Sequence, residues 1–252
     1  MISKNELKYY SSLLKKKFRD SEKKFIVEEK KSVYEGIESK FNCKIVFVTN
    51  KFSSEEDQFI KNLESRNFKV AILKSVDFNK ISDTKTPQGI AAVFEIKKNK
   101  LNLLSLDDQL LVYLENISDP GNLGTIIRTC DWFGIQNIFL SKDTSEIFNP
   151  KVIRSSMGSC FHVNIFEDVT IDEIAVLNKS GYEFLCGDID GKNIYDLNRG
   201  KHTLLFLANE SNGPSEKLLS IIDKKITIPG KGKAESLNVA SALAIILAEL
   251  TK

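Results

Sequence analysis

The chain has 252 residues, 42% hydrophobic and 28% charged, with a net charge of +2. This length predicts one large domain or two small ones, and the composition, with 13 Gly and 5 Pro, excludes a disordered or collagen-like chain. The longest apolar run, residues 242–248, is too short to cross a bilayer, and residues 1–17 have no apolar core of signal-peptide length. The four cysteines are widely spaced without a CxxC pair, which argues against a disulfide framework or a metal site and favours a reducing cytoplasm.

Charge is distributed unevenly along the chain. Residues 1–100 carry a net charge of +8, whereas residues 101–252 carry −6. This asymmetry predicts an anion-binding module followed by a module with another task. The densest basic patch is residues 15–19, followed by the lysine pairs at 23–24 and 30–31. Such a patch is either a solvated helix face or a surface that contacts phosphates.

The hydrophobic pattern of the first hundred residues predicts a small α/β unit. A turn is expected at Thr86–Gly89, and the polar stretch 97–102 has the composition of a linker. Phe25–Val27 is a short apolar run. The predicted helices are 6–18, 32–38 and 54–65, and the predicted strands are 44–48, 68–73 and 90–94.

Strands and helices alternate more regularly in the second half. This alternation predicts a largely parallel sheet with helices on both faces, in which ligands bind at the carboxyl ends of the strands. The predicted strands are 110–114, 138–140, 161–166, 182–186, 203–207 and 225–228. The predicted helices are 122–133, 151–159, 172–179, 215–222 and 237–250.

The first unusual loop, residues 115–128, follows the first of these strands. Asn122 stands where a helix begins, so it is either a simple helix cap or a functional group. Arg128 lies in an otherwise apolar stretch, and arginine is seldom buried without a partner. A helix N-terminus beside a guanidinium is suited to holding a phosphate.

Two further loops carry polar residues at strand ends. In residues 204–215 a buried strand runs directly into Asn209 and Glu210, and in residues 228–240 a Gly- and Lys-rich stretch leads into an apolar helix. Glu235 and Ser236 are candidates for helix caps there. The chain contains neither a GxGxxG phosphate fingerprint nor a GxSxG nucleophile elbow, and its two histidines are interpreted as structural.

Together and in this order, the loops resemble the SpoU/TrmH family of RNA ribose 2′-O-methyltransferases, within the SPOUT superfamily. The resemblance covers residues 108–250 and rests on 122–128, on Asn209-Glu210 with Gly213, and on Ile228-Pro229 with 235–239. Residues 154–159 are similar to a further family segment. The N-terminal half, with 25–28 and 86–89, is similar to the small substrate-binding domain that often precedes the catalytic domain.

This resemblance implies an RNA substrate-binding domain at 1–98 and a SPOUT methyltransferase domain at 103–252. The implied fold is α/β, with a parallel sheet whose C-terminal part forms a trefoil knot. The implied cofactor is S-adenosylmethionine, and the implied assembly is a homodimer with the site near the subunit boundary; neither a metal nor a membrane is expected. The residues expected to bind the cofactor are Ala208, Asn209, Gly213, Ile228, Gly230, Ser236 and Leu237.

The residues expected to act in catalysis are Arg128, Asn122, Glu210, Ser236 and Asn238. Because the pKa of an arginine exceeds about 12, a neutral arginine base is physically difficult. We therefore expect Arg128 to bind a phosphate and to stabilise the developing alkoxide, and Asn122 to orient Arg128 or the ribose.

Three positions depart from the family pattern. Ala208 and Gly230 replace a usual glycine and a usual methionine, and Glu29 stands where the N-terminal domain often has glycine. The first two keep open the alternative of a non-catalytic RNA-binding protein of the same fold. An unrelated nucleotide-binding α/β enzyme is a third interpretation, which the missing glycine fingerprint disfavours. The substrate is expected to be rRNA in preference to tRNA, at guanosine, although no residue identifies the base.

Overall fold

The computed structural model describes residues 2–97, 101–103, 106–198, 200–209 and 212–252. Its chain divides into two compact units. The first unit contains Met1–Lys97 together with Ile147–Phe161, and the second contains Lys98–Glu146 and His162–Lys252. None of the helices in the described ranges is long and apolar enough to span a membrane.

The first unit is a four-stranded sheet covered by helices, with strand order β1-β4-β2-β3. β2 and β3 are parallel, and β4 runs antiparallel to both β1 and β2. The strands are β1 Lys24–Glu28, β2 Cys43–Thr49, β3 Val70–Leu73 and β4 Ile90–Glu95. The helices are α1 Lys4–Ser12, α2 Lys16–Glu22, α3 Lys30–Glu38, α4 Asn50–Glu55, α5 Asp57–Ser65, α6 Ser75–Phe78 and, from the later segment, α8 Pro150–Ser156.

Two predicted helices of the first unit are each divided in the structure, as is the predicted helix 172–179 of the second unit. The predicted helix 6–18 breaks between α1 and α2, and 54–65 breaks between α4 and α5 at Glu56. The first break is stabilised by Arg19, which is only 2% exposed and donates from Nη1 to the carbonyl of Leu13 at 2.9 Å. Arg19 therefore belongs to the interior and leaves only the lysines of the basic patch at the surface.

An aromatic cluster joins residues 147–161 to the core of the first unit. The rings of Phe25 and Phe148 lie 4.4 Å apart, and those of Phe94 and Phe161 lie 5.5 Å apart. A Cβ on Gly36 would lie 2.6 Å from the Phe94 ring, so α3 can approach this cluster closely only with glycine. Residues 147–161 were predicted to belong to the second domain, whereas in the structure they complete the core of the first unit.

Glu29 occupies a backbone conformation that normally requires glycine. Its φ is +75° and its ψ is 135°, at the junction of β1 and α3. A side chain held there costs on the order of 1 kcal/mol or more. Glycine at this position would adopt the conformation without that cost.

We expect Glu29→Gly to stabilise the protein by about 1 kcal/mol, because glycine adopts this conformation without strain. Urea unfolding would measure the change. Glu64→Gly in the exposed part of α5 is the control, and it should destabilise the protein by about 1 kcal/mol, since the added flexibility there relieves no strain. Equal destabilisation by both substitutions would contradict the prediction.

The second unit is a six-stranded sheet with order β10-β8-β9-β5-β6-β7. Every pairing is parallel, as predicted from the alternation of elements. The strands are β5 Leu110–Glu115, β6 Asn137–Leu140, β7 Asn164–Phe166, β8 Tyr182–Asn193, β9 His202–Ala208 and β10 Lys224–Thr227. The helices are α7 Pro120–Trp132, α9 Ile171–Ile174, α10 Val176–Lys179, α11 Glu216–Leu219 and α12 Val239–Leu250.

The three unusual loops all start at the carboxyl ends of these strands. They follow β5, β9 and β10, and in a parallel sheet these ends share one edge. β5 and β9 are adjacent and fully buried along most of their length, which places the first two loops side by side.

Candidate active site at the carboxyl edge of the parallel sheet

The start of α7 is capped by a residue other than the one expected. Asp119 is the N-cap, and its side chain accepts a hydrogen bond from the backbone N–H of Asn122 at 2.8 Å. Pro120 takes the first helical position, where a missing N–H is harmless. The interpretation of Asn122 as a simple cap is therefore wrong, and its side chain makes a different contact.

That contact joins the first loop to the third. Asn238 Oδ1 caps α12 by accepting from the N–H groups of Ala240 and Ser241, so Asn238 Nδ2 must be the donor toward Asn122 Oδ1, at 3.0 Å. Asn238, and neither Glu235 nor Ser236, is thus the cap of α12. Two residues 116 positions apart, both predicted to act in catalysis, are brought together.

The second loop is bonded to the first through Asn209. The backbone N–H of Asn209 donates to the carbonyl of Glu115 at 3.2 Å. Its Nδ2 donates to the carbonyl of Asn116 at 3.2 Å and to Ser118 Oγ at 3.3 Å. All three loops therefore meet through side-chain amides, while Glu210 lies outside the described residues.

Glu115 is a site residue that the sequence analysis did not single out. It ends β5, is 4% exposed, and its carboxylate accepts from the N–H and the Oγ of Ser215 at 2.9 and 2.6 Å. The sequence did contain a signal for Glu115, because a glutamate ends an otherwise apolar strand there. The same kind of signal drew attention to Glu210, which follows β9.

Arg128 lies on the exposed outer face of α7. Within the described part of the chain its guanidinium has no hydrogen bond or ion pair. The apolar neighbours Ile126, Ile127 and Cys130 point into the core instead, as helical periodicity allows. The structure therefore joins Asn122 to Asn238 and Asn209 to the loop after β5, and it places Arg128 on the outer surface.

β8 contains a bulge and continues seven residues beyond its predicted end at residue 186. The pairing with β10 jumps from Cys186 to Lys192, so residues 187–191 bulge from the ladder. Thr227 Oγ1, at the last position of β10, donates to the carbonyl of Ile189 at 3.1 Å. The bulge is therefore bonded to β10 immediately before the third loop.

An ion pair fixes this bulge. Asp188 Oδ2 lies 2.7 Å from Lys225 Nζ. Burial acts to raise the pKa of Asp188, but hydrogen bonds from Lys225 and from the backbone of Ile189 outweigh it, so the pKa is lowered. Asp188 is therefore a carboxylate at neutral pH and holds the bulge against β10.

The residues expected to bind the cofactor line the ends of β9 and β10. Ala208 ends β9 beside Glu115, Ile228 is half-buried, and Leu237 is 46% exposed. A Cβ built on Gly213 or Gly230 would meet nothing within 4 Å, so the Gly230 departure leaves open space at the site. Backbone groups beside an exposed apolar side chain fit a nucleoside cofactor, which needs apolar surface and a few polar contacts.

Neither histidine belongs to a metal-binding group. Among the described residues, no cluster of His, Cys, Asp and Glu could hold a metal ion. His162 Nδ1 lies 2.8 Å from Asp131 Oδ2, and His202 Nδ1 lies 3.3 Å from the carbonyl of Asp108.

Residues 109–248 match the model of the SpoU rRNA methylase family. The chain belongs to the SpoU rRNA methylase family. Residues 4–92 match the MRM3-like substrate-binding domain, so the expectation of such a domain ahead of the methylase is also confirmed. Among similar proteins, the 23S rRNA (guanosine(2553)-2′-O)-methyltransferase RlmP of Bacillus subtilis is 30% identical over 250 residues, which cover 98% of this chain and 97% of RlmP.

Solved structures of the same fold cover the whole chain. A TrmH-family protein from Porphyromonas gingivalis matches with a TM-score of 0.86 and 32% identity, covering 99% of this chain and 98% of that one. An AdoMet-bound rRNA methyltransferase from Sinorhizobium meliloti matches with a TM-score of 0.85 and 27% identity, covering 99% and 95%. The predicted family and α/β fold class are confirmed.

Proposed function

We propose that this SpoU-family methyltransferase modifies the 2′-hydroxyl of a ribose in ribosomal RNA, at a guanosine. RlmP, which is named for a guanosine of 23S rRNA, matches along nearly the full length of both chains. A 23S rRNA (uridine(2479)-2′-O)-methyltransferase from Streptomyces viridochromogenes is 29% identical but covers 66% of this chain. The TrmH/SpoU tRNA modifying enzyme from A. aeolicus covers 57% of this chain. The two-unit architecture therefore favours rRNA over tRNA.

The observation that carries this proposal is the meeting of the three loops. Asn122 bonds to Asn238, and Asn209 bonds to the loop after β5, at the edge of a parallel sheet where ligands bind. S-adenosylmethionine is the methyl donor, and it supplies a methyl group made electrophilic by the sulfonium. The protein is left to position the hydroxyl and to stabilise its charge, and positioning alone can supply several kcal/mol.

We assign the cofactor to the ends of β9 and β10. Backbone groups of Ala208, Asn209 and Gly213 would contact it from the second loop. Ile228, Gly230, Ser236 and Leu237 would contact it from the third. In line with the family resemblance, we propose that the C-terminal segment passes through a trefoil knot.

Asn122 and Asn238 would orient the ribose. Their mutual hydrogen bond, in which Asn122 Oδ1 is the acceptor, holds the two amides side by side where the first and third loops meet. Ser236 and Glu210 are proposed to contact the substrate from the neighbouring loops. Arg128 would bind a phosphate and stabilise the developing alkoxide, since a permanent cation is suited to this task.

A homodimer would bring Arg128 to a second site. Trp132, one turn further along the same face of α7, is 84% exposed. The outer face of α12 carries small or apolar residues at helical spacing: Ser241, Ala244, Ile245 and Ala248. An exposed apolar surface of this kind fits a second copy of the chain, and Arg128 would then lie at the subunit boundary.

We propose that residues 1–98 hold the RNA and that residues 103–252 carry out the methylation. The connection between the two parts lies partly outside the described residues. A cytoplasmic location, expected from the sequence, stays a prediction.

Mapping of 2′-O-methyl groups in rRNA from cells with and without the gene tests this function. We expect one guanosine of 23S rRNA to lose its methyl group, and purified protein with S-adenosylmethionine to restore it in vitro. Loss of a site in tRNA alone, or an unchanged methylation map together with no binding of S-adenosylmethionine by calorimetry, would refute the proposal.

A further inference from the structure

Glu115 is a buried carboxylate whose side-chain hydrogen bonds, within the described part of the chain, lead to Ser215 in the second loop. The side chain sits at the last position of β5 and is 4% exposed. Its Oε2 accepts from the N–H of Ser215 at 2.9 Å, and its Oε1 accepts from Ser215 Oγ at 2.6 Å. Because burying a carboxylate is costly, this position requires donors that repay the lost hydration.

The same residue also holds the other end of that loop. The carbonyl of Glu115 accepts from the N–H of Asn209 at 3.2 Å. Asn209 and Ser215 are the first and last residues of the segment 209–215, and Ser215 lies 100 positions after Glu115. One residue of β5 thus bonds to the first and last residues of the segment 209–215.

The chemistry of the contact explains why a carboxylate is needed. Both groups of Ser215 that face Glu115 act as donors, and Ser215 Oγ also accepts from the N–H of Leu218 as the cap of α11. A carboxylate offers two acceptor oxygens, whereas a glutamine would turn an NH₂ group toward one of the donors. Charge-assisted hydrogen bonds are also roughly twice as strong as neutral ones.

We propose that Glu115 is a positioning residue for the cofactor, acting by clamping the segment 209–215 at both ends. This inference rests on the proposed function, because that function places the cofactor against Ala208, Asn209 and Gly213. Glu115 acts through Asn209 and Ser215, to which it is bonded. It holds Asn209 and Ser215 in place before S-adenosylmethionine binds, which lowers the entropic cost of binding.

The test is Glu115→Gln in the full-length protein, with S-adenosylmethionine binding measured by calorimetry and methylation measured kinetically. We expect the Kd and the KM for S-adenosylmethionine to rise about tenfold or more, as for loss of a charged hydrogen bond. We expect kcat at saturating cofactor, and the KM for RNA, to stay within about twofold to threefold, since no reacting group is removed.

Glu183→Gln is the matched control. Glu183 lies on β8 of the same sheet, accepts from the N–H of Gly200 at 2.8 Å and pairs with Lys224, but it lies at the opposite, amino edge of the sheet. We expect it to lower the unfolding temperature without changing the affinity for S-adenosylmethionine. Ser215→Ala, which keeps the backbone donor, should weaken binding less than Glu115→Gln, and the two effects should not add in the double variant.

The outcomes separate this inference from the proposed function. A wild-type protein that does not bind S-adenosylmethionine would overturn both. A wild type that binds, with Glu115→Gln and Ser215→Ala binding equally well, would overturn the clamp alone. Equal weakening by Glu115→Gln and Glu183→Gln would also overturn it, because the effect would then be general destabilisation.

Discussion

Arg128→Ala is expected to lower kcat/KM for RNA methylation by at least about a hundredfold while the Kd for S-adenosylmethionine stays within about twofold. The guanidinium is exposed on α7, and within the described residues it makes no hydrogen bond or ion pair that would stabilise the fold. Its removal should therefore leave the unfolding temperature unchanged. Arg128→Lys keeps the charge but loses the planar fork, so it should recover part of the activity. Full turnover by a folded Arg128→Ala protein would contradict the assignment.

A mixing experiment tests whether Arg128 serves the partner's site. Arg128→Ala and Asn238→Ala proteins, each inactive alone, would be mixed and allowed to exchange subunits. If Arg128 acts across the boundary, one site of each heterodimer contains both intact residues, so about a quarter of the wild-type activity should return after random exchange. If Arg128 acts within its own chain, every site lacks one residue and no activity should return.

The sequence predicted most of what lies on the main strands and helices. The short, buried apolar runs of β2, β5 and β9 lie in a chain of alternating strands and helices, and this pattern predicts a sheet covered by helices. The meeting of the three polar loops was also predictable from the sequence. Each loop follows a parallel strand, and the carboxyl ends of parallel strands lie at one edge of the sheet.

Contacts between segments that are distant in the chain could not be predicted from the sequence. The bulge at 187–191 depends on pairing with β10, and the place of residues 147–161 depends on aromatic contacts with Phe25 and Phe94. The role of Glu115 likewise could not be predicted, because it depends on a hydrogen bond with Ser215, 100 positions later in the chain. Helix boundaries at Asn122 and Asn238 depended on which of several capping residues reached the free N–H groups.

The lysines of the first unit can be divided by the edge of the four-stranded sheet at which they lie. Glu28, at the carboxyl end of β1, accepts from the N–H of Asp83 at 2.7 Å, and Gln88 Oε1 accepts from the N–H of Lys30 at 3.1 Å. These bonds place Lys85, in the loop before β4, near the start of α3.

The basic patch at 15–17 lies toward the same edge. Ser11 Oγ, at the end of α1, donates to the carbonyl of Lys80 at 2.7 Å, and the patch begins four residues later. Lys40 and Lys69 precede β2 and β3, so they lie at the opposite, amino edge.

We expect reversal of charge at the first edge to weaken RNA binding far more than reversal at the second. The variant Lys31→Glu with Lys85→Glu should lose about tenfold or more in RNA affinity at low salt, because each exposed lysine there can neutralise a phosphate. Its plot of log affinity against log salt should also become shallower by about 2. Lys40→Glu with Lys69→Glu changes the net charge equally and is the matched control. Equal losses of RNA affinity in the two double variants would contradict this prediction, because net charge and not a defined surface would then hold the RNA. We expect kcat at saturating RNA to be unchanged in both variants, since these lysines act in binding and not in the chemical step.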